Sequence, residues 1–434
     1  HEFASPLPVA CSRRMSASSP LDHRHRSNKQ FVSDYYEALN VFGAAPTQPP
    51  GALRHIVRSA CHSDVTFSCC HPVNEIRGAE KVIERFYEPL FAAFGSLTRE
   101  ADILIGGAFD GGRKGDWVAS TGYFVGQFRA DYCGVPATHA PARLRYGEFC
   151  RMQEGKITAV FLILDLIDLI HQAHHSVLPP ALGKDAYRVP GPQAQDGAMV
   201  EQIAPPESTD ASLQLVERMI YEGLAKFDGD GDRCLKKMGM EAYWSPEMVW
   251  YGPAGIGTQR GIDGFQSGHQ RPFLEGFPDR KGGNHVARFA DGSYVASMGW
   301  PSIYATQRGA YLGAPPTGRR VTMRVMDWWK REGDLLTENW VLIDLPHLFL
   351  QLGVDLLANL KKTQTHLTPL PLHTHSRHVS PALTSTLTPP NRAVSSDYET
   401  EAGGDSPTLT AASQESSFSG EIYLTMNGCV APLE

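Results

Sequence analysis

What most constrains this chain is that it repeats itself. Reading from Val65, VTFSCCHPVNEIRGAEKVIERFYEPLFAAF lies without gaps over MVWYGPAGIGTQRGIDGFQSGHQRPFLEGF, which starts at Met248. Arg77 falls on Arg260, Gly78 on Gly261, Pro89 on Pro272 and Phe94 on Phe277. Further on, YCGVPATHAPARLRYGEF from Tyr132 lies over YLGAPPTGRRVTMRVMDW from Tyr311, matching Gly134 with Gly313, Thr138 with Thr317, Arg145 with Arg324 and Glu148 with Asp327. The closing segments FLILDLIDLIHQ from Phe161 and WVLIDLPHLFLQ from Trp340 pair Asp165 with Asp344 and Gln172 with Gln351. Register held over such a distance means one domain, of about 140 residues, used twice.

Within each copy, apolar residues recur at three-to-four spacing over residues 29–40 and 212–227, which predicts a leading helix. A short strand follows, VTFSC or MVWYG, then a helix opened by Gly78 or Gly261. The remainder alternates apolar and polar residues, as in WVASTGYFVGQF and RVTMRVMDWWKR, with Gly155-Lys156 or Gly333-Asp334 at the turns. Helices followed by a run of hairpin strands predict an α+β fold: two tandem cone-shaped domains, each a curved antiparallel sheet wrapped around helices. The expected organisation is a flexible arm over 1–29, a domain over 30–176, a proline-rich linker over 177–210, a second domain over 211–362 and a disordered Ser/Thr/Pro-rich tail over 363–434.

Apolar residues make up 42% and charged residues 20%, enough for sizeable cores in a soluble protein. A net charge of -7 gives no basic face for nucleic acid, so none is expected as a partner. The most apolar run, residues 160–170, is interrupted by Asp165 and Asp168 and falls short of a span of about 20 residues, so no membrane is expected either. The expected location is the cytoplasm, although the Arg content of the N-terminal arm also fits an organelle transit peptide. Eight cysteines are too few for a disulfide scaffold; Cys69 and Cys70, adjacent on a strand, should point to opposite sides.

The stretch from Gly309 to Gly353, with its Gly313-x-Pro-Pro-Thr-Gly318 turn, Asp327, Trp340 and Asp344, resembles the SnoaL-like polyketide cyclase family of the nuclear transport factor 2-like fold. The first copy resembles it too, through Gly134, Pro136, Thr138, Glu148, Phe161 and Asp165. The resemblance implies a cone-shaped pocket, a small-molecule substrate and, in related folds, dimers through the sheet, so a homodimer is expected. Many members carry a histidine where this chain has Gln307.

The chemistry of such a pocket, cyclisation or isomerisation of an apolar, polyketide-like carbonyl compound, needs an acid/base group and no cofactor. A carboxyl buried among apolar groups is suited to it, because desolvation raises its pKa toward neutrality. Met323, Val325 and Asp327 share one face of a strand, which makes Asp327 the first catalytic candidate. Glu148 is its counterpart beside Tyr146. His269, aligned with Phe86, is a second acid/base candidate. Trp340, Tyr251, Trp250, Met323, Arg324, Phe161 and Tyr146 are expected to contact substrate, the aromatics as flat walls. Asp165 and Asp344 read as helix N-caps. Two other functions fit the same scaffold: a non-catalytic binding or scaffolding protein, and a hydratase, dehydratase or epoxide hydrolase. No metal site is expected: in FDGDGDRC at 227–234 Arg233 replaces the glycine a calcium loop requires.

Overall fold

The computed structural model describes residues 20–45, 47–227 and 231–364. The N-terminal arm as far as residue 19, part of the calcium-like loop and the expected tail from residue 365 lie outside the described residues. Among the described residues no helix is long and apolar enough to cross a membrane.

The first domain opens with helix α1 (Pro20–Ala44), ten residues earlier than expected, and α2 (Ala52–Ala60). Its sheet consists of β1 (Cys61–Cys69), β2 (Glu75–Arg77), β3 (Phe94–Phe109), β4 (Gly115–Phe128), β5 (Pro141–Gln153) and β6 (Lys156–Leu164), in the order β2-β1-β6-β5-β4-β3. Between β2 and β3 run α3 (Ala79–Val82), a π turn (Ile83–Tyr87) and α4 (Glu88–Ala93); α5 (Leu166–Gln172) follows the sheet.

The second domain repeats this plan. It has α6 (Pro206–Arg218), α7 (Gly231–Met238), β7 (Trp244–Tyr251) and β8 (Thr258–Arg260), then α8 (Gly261–Phe265), a π turn (Gln266–Gln270) and α9 (Arg271–Gly276). Then come β9 (Lys281–Gly282), β10 (His285–Asp291), β11 (Tyr294–Thr306), β12 (Arg320–Glu332), β13 (Leu335–Ile343), α10 (Leu345–Leu352) and α11 (Leu356–Gln364). The order β8-β7-β13-β12-β11-β10 matches the first sheet strand for strand, with β9 added beside β11. Each sheet is antiparallel except for one pair, β1 with β6 and β7 with β13, where the chain returns from the helices to the sheet centre. Both copies carry the π turn at the same repeat position.

The helices cover one face of each sheet. The other faces pack against each other: Phe149 lies 5.3 Å from Trp328 and 6.1 Å from Phe289, and Phe161 lies 5.5 Å from Trp300, ring centre to ring centre. Repeat-related residues clamp this contact reciprocally, as a two-fold interface requires. Arg145 donates to the carbonyls of Gly252 (2.9 Å) and Tyr251 (3.2 Å), and its counterpart Arg324 donates to the carbonyl of Cys69 (3.4 Å). Asp165 accepts from the Ala254 N–H at 2.9 Å, and Asp344 from the His71 N–H at 3.1 Å. The faces on which a homodimer was expected are thus occupied within one chain.

Gly147 is one place where the two sheets come close, since a Cβ there would stand 2.7 Å from the Trp328 ring. Gly147→Val should push the sheets apart and cost about 2 kcal/mol by overpacking. A lowered denaturant midpoint would report it; an unchanged midpoint would mean the sheets are not held this tightly.

The linker is an ordered strap. Its Ala198 bridges to Leu104 and its Lys184 to Thr258; Arg188 pairs with Glu100 (2.8 Å), and Asp196 with Lys330 (3.3 Å). Cys69 and Cys70 bring their sulfurs to 3.9 Å rather than to opposite sides, because β1 ends at Cys69.

Candidate functional site

In the first domain a buried ion pair lies between helices and sheet. Glu148, on β5, takes a bidentate pair of bonds from Arg99 of β3 (2.8 and 3.3 Å) and a short hydrogen bond from the Tyr36 hydroxyl of α1. The Arg99 guanidinium lies under the rings of Tyr36 (3.9 Å), Phe124 (4.5 Å) and Tyr146 (4.7 Å). Phe67 and Phe86 pack at 4.7 Å beside them, and all of these groups are buried. Glu148 and Tyr146 therefore lie under the helices, both buried among their own side-chain partners.

The second domain repeats the positions with different side chains. Trp250 replaces Phe67 and His269 replaces Phe86, and the two rings stack at 4.0 Å and 16°. Phe273 lies 5.9 Å from His269, nearly parallel to it. The π turn over Gln266–Gln270 carries His269 into this stack. Its Nδ1 is buried without a hydrogen-bond partner, and burial, with help from Arg280, lowers its pKa to about 3. It is a neutral imidazole wall.

Asp327 sits mid-strand on β12, opposite Ser297 of β11, and Met323 and Val325 share its face. Burial pushes its carboxyl up to about 7, against the opposing pull of a hydrogen bond from Asn339 and the charge of Arg288. Asp327 and His269 both keep part of their surface open even though desolvation governs their titration. Glu148, at 2% exposure, lacks the open surface.

Four expected substrate contacts lie elsewhere. Trp340 is paired in register with Trp328 on the face turned away from the helices; it stacks on Tyr251 at 5.4 Å and donates to the Pro190 carbonyl of the linker. Phe161, paired with Phe149, lies at the contact between the domains, as does Arg324. Trp250, Met323, His269 and Asp327 remain as the group on the helix side of the second sheet. Sequence reasoning missed Arg288 and Asn339; the available signal was one arginine in the otherwise apolar run VARFA. Gln307 is bound into the Gly313–Gly318 turn, accepting from Thr317 at 2.6 Å.

Asp165 and Asp344 act as N-caps, accepting from the N–H of Asp168 and of His347. A separate open cleft of about 740 Å³ runs between the first domain, the linker and the second domain, past Arg145, Asp165, Asp168 and Lys184. Burial and the charge of Asp165 raise Asp168 there to about 8. Both acids are committed to capping, to the clamp, or to Gln172 at 2.9 Å. Among the described residues no cluster of three or more His, Cys, Asp or Glu is arranged to hold a metal.

The description of the SnoaL-like polyketide cyclase family matches residues 52–173, and that of the SnoaL-like domain matches residues 232–339. The chain belongs to the SnoaL-like family, in two tandem copies. Similar solved structures include IdmH from Streptomyces antibioticus, 22% identical, covering 32% of this chain and 99% of its own, with a TM-score of 0.26. TsrD from Streptomyces laurentii is 23% identical over 32% of this chain and 96% of its own, with a TM-score of 0.26. An NTF2-like protein from Burkholderia xenovorans LB400 is 16% identical over 33% of this chain and 96% of its own, also at a TM-score of 0.26. A search of curated proteins returned no match.

Proposed function

We propose that the second SnoaL-like domain is an acid/base catalyst, cyclising or isomerising an apolar, enolisable, polyketide-like carbonyl compound, with the first domain as its built-in structural partner. One observation carries the reading: Asp327 is a desolvated carboxyl, poised at about 7, that keeps open surface on the sheet face that also carries Trp250, against which His269 stacks. A carboxyl that titrates near neutrality can take a proton from carbon and return it without a large loss in either direction. Trp250, Phe273 and Met323 supply apolar walls, and the neutral His269 ring adds to them rather than competing for the proton. The tight filling around Glu148 and Arg99 supports a structural role for the first domain. The mutual covering of the sheets supports a single chain as the working unit.

Exchange of the α-protons of benzoylacetone in heavy water tests the reading. The full chain should accelerate exchange above the buffer rate. The rate should rise with a single ionisation near pH 7, as Asp327 becomes a carboxylate, with no contribution from His269. Exchange at the buffer rate for this and for bulkier 1,3-diketones would end the proposal and leave a binding protein.

A further inference from the structure

In the first domain the buried carboxylate is closed off by its own cation, Arg99 on Glu148 at 2.8 Å. In the second domain the corresponding charges stand apart. Asp327 is one methylene shorter than Glu148, and its cation comes from a different strand: Arg288 of β10 pairs in register with Ser297, which pairs with Asp327. Three groups in a row across the sheet therefore share the face that the helices cover.

Arg288 is 2% exposed. Its Nε donates to Ser297 Oγ at 3.3 Å, and its Nη1 donates to the Tyr221 hydroxyl at 2.8 Å and lies 3.9 Å from Glu217. Its Nη2 is buried with no partner. Among the described residues no ion pair within 4 Å joins Arg288 to Asp327, although its charge reaches that carboxyl. The sequence around Tyr221, YEGL, repeats YEAL around Tyr36, so the tyrosine that bonds the carboxylate in one domain bonds the arginine in the other. A buried guanidinium N–H without an acceptor is costly, and an acceptor brought by a ligand removes that cost.

We propose that Arg288 is the oxygen-binding group of this site, its Nη2 donating to the carbonyl oxygen of an enolisable ketone and holding the enolate that forms there. The proposal rests on the acid/base reading of Asp327. The Asp327 carboxylate takes the proton from the carbon beside the carbonyl. The C–H pair becomes a C–C π bond, and the C=O π pair moves onto oxygen, where it faces the guanidinium. In isomerisation the carboxyl returns its proton to a different carbon. In cyclisation the enolate carbon bonds to a second carbonyl carbon, and the resulting alkoxide takes the proton from Asp327.

The test uses 4-nitrophenol, whose ionised form is a yellow aromatic oxyanion distinguishable by its colour from the phenol, with nitrobenzene as its neutral control. The full chain should bind the phenolate and lower the pH at which the bound phenol ionises. Arg288→Met should lose at least about tenfold in phenolate affinity and keep nitrobenzene binding, since one charge-assisted hydrogen bond is at stake. Arg288→Lys should recover part of the loss, and Asp327→Asn should bind phenolate at least as tightly as the unaltered chain. Should Arg288→Met fold poorly, Arg288→Gln keeps a donor toward Ser297 and removes the charge. Phenolate bound no better than nitrobenzene, or equally by Arg288→Met and the unaltered chain, overturns the proposal. Benzoylacetone exchange separates the two ideas: loss in Asp327→Asn alone, with Arg288→Met at full rate, removes Arg288 from the reaction and leaves Asp327 in it.

Discussion

Asp327→Asn should abolish most of the exchange activity and, at alkaline pH, make the protein more stable. The rate loss follows from removing the proton carrier, and general acid/base groups of this kind contribute about 10²–10⁴-fold. The stability gain follows from linkage. In the unfolded chain the carboxyl titrates at its ordinary 3.8, in the folded protein at about 7. Below the lower value both states are protonated and the group costs nothing. As pH rises between the two values the unfolded chain releases its proton while the folded protein keeps it, so stability falls through this window; above about 7 the whole penalty is in place. The asparagine has no proton to release and escapes it. A tenfold difference in proton affinity between folded and unfolded chain is worth about 1.4 kcal/mol. With a discount for the carboxyl's partial exposure, the gain is on the order of 2 kcal/mol above about pH 8, vanishing at about pH 4. Denaturant midpoints of the two proteins at both pH values measure it. A gain independent of pH would mean that Asp327 is not held protonated by its surroundings.

Asp327 was legible because β12 alternates: Met323, Val325 and Asp327 on one face, Arg324, Met326 and Trp328 on the other. Alternation separates faces without saying which lies inside. A lone domain would leave the outer face wet and polar, but here that face packs on its twin, so both faces of both sheets are apolar and aromatic. Trp340 and Phe161 therefore read as pocket walls, whereas Trp340 is held by the linker and Phe161 lies at the contact between domains. The reciprocal arginine and aspartate clamps were visible as matched residues, yet their partners are backbone groups, which no side-chain pattern marks. Arg288 escaped for another reason. It has no counterpart in the first domain, where Leu104 holds the equivalent place opposite Ser120, so the comparison that exposed the other residues passed over it.

Glu148→Ala should destabilise the first domain by about 3–5 kcal/mol, the cost of leaving one member of a buried ion pair alone. Arg99 would keep its charge beneath Tyr36, Phe124 and Tyr146, without the carboxylate that neutralises it. Residual structure is expected to melt at a lower temperature, with exchange activity per folded molecule unchanged at temperatures where the variant stays folded. Replacing both members, Glu148→Leu with Arg99→Met, should recover most of the loss, because apolar groups of similar volume need no partner. Thermal unfolding of the three proteins, followed by circular dichroism alongside the benzoylacetone assay, separates the two domains' roles. If Glu148→Ala kept its stability but lost exchange, catalysis would belong to the first domain. The contrast expected with Asp327→Asn, lower stability with retained rate against higher stability with lost rate, comes from one difference between the repeats. The carboxylate of the first domain is neutralised by a cation the chain provides, whereas that of the second is left to desolvation and to what binds beside it.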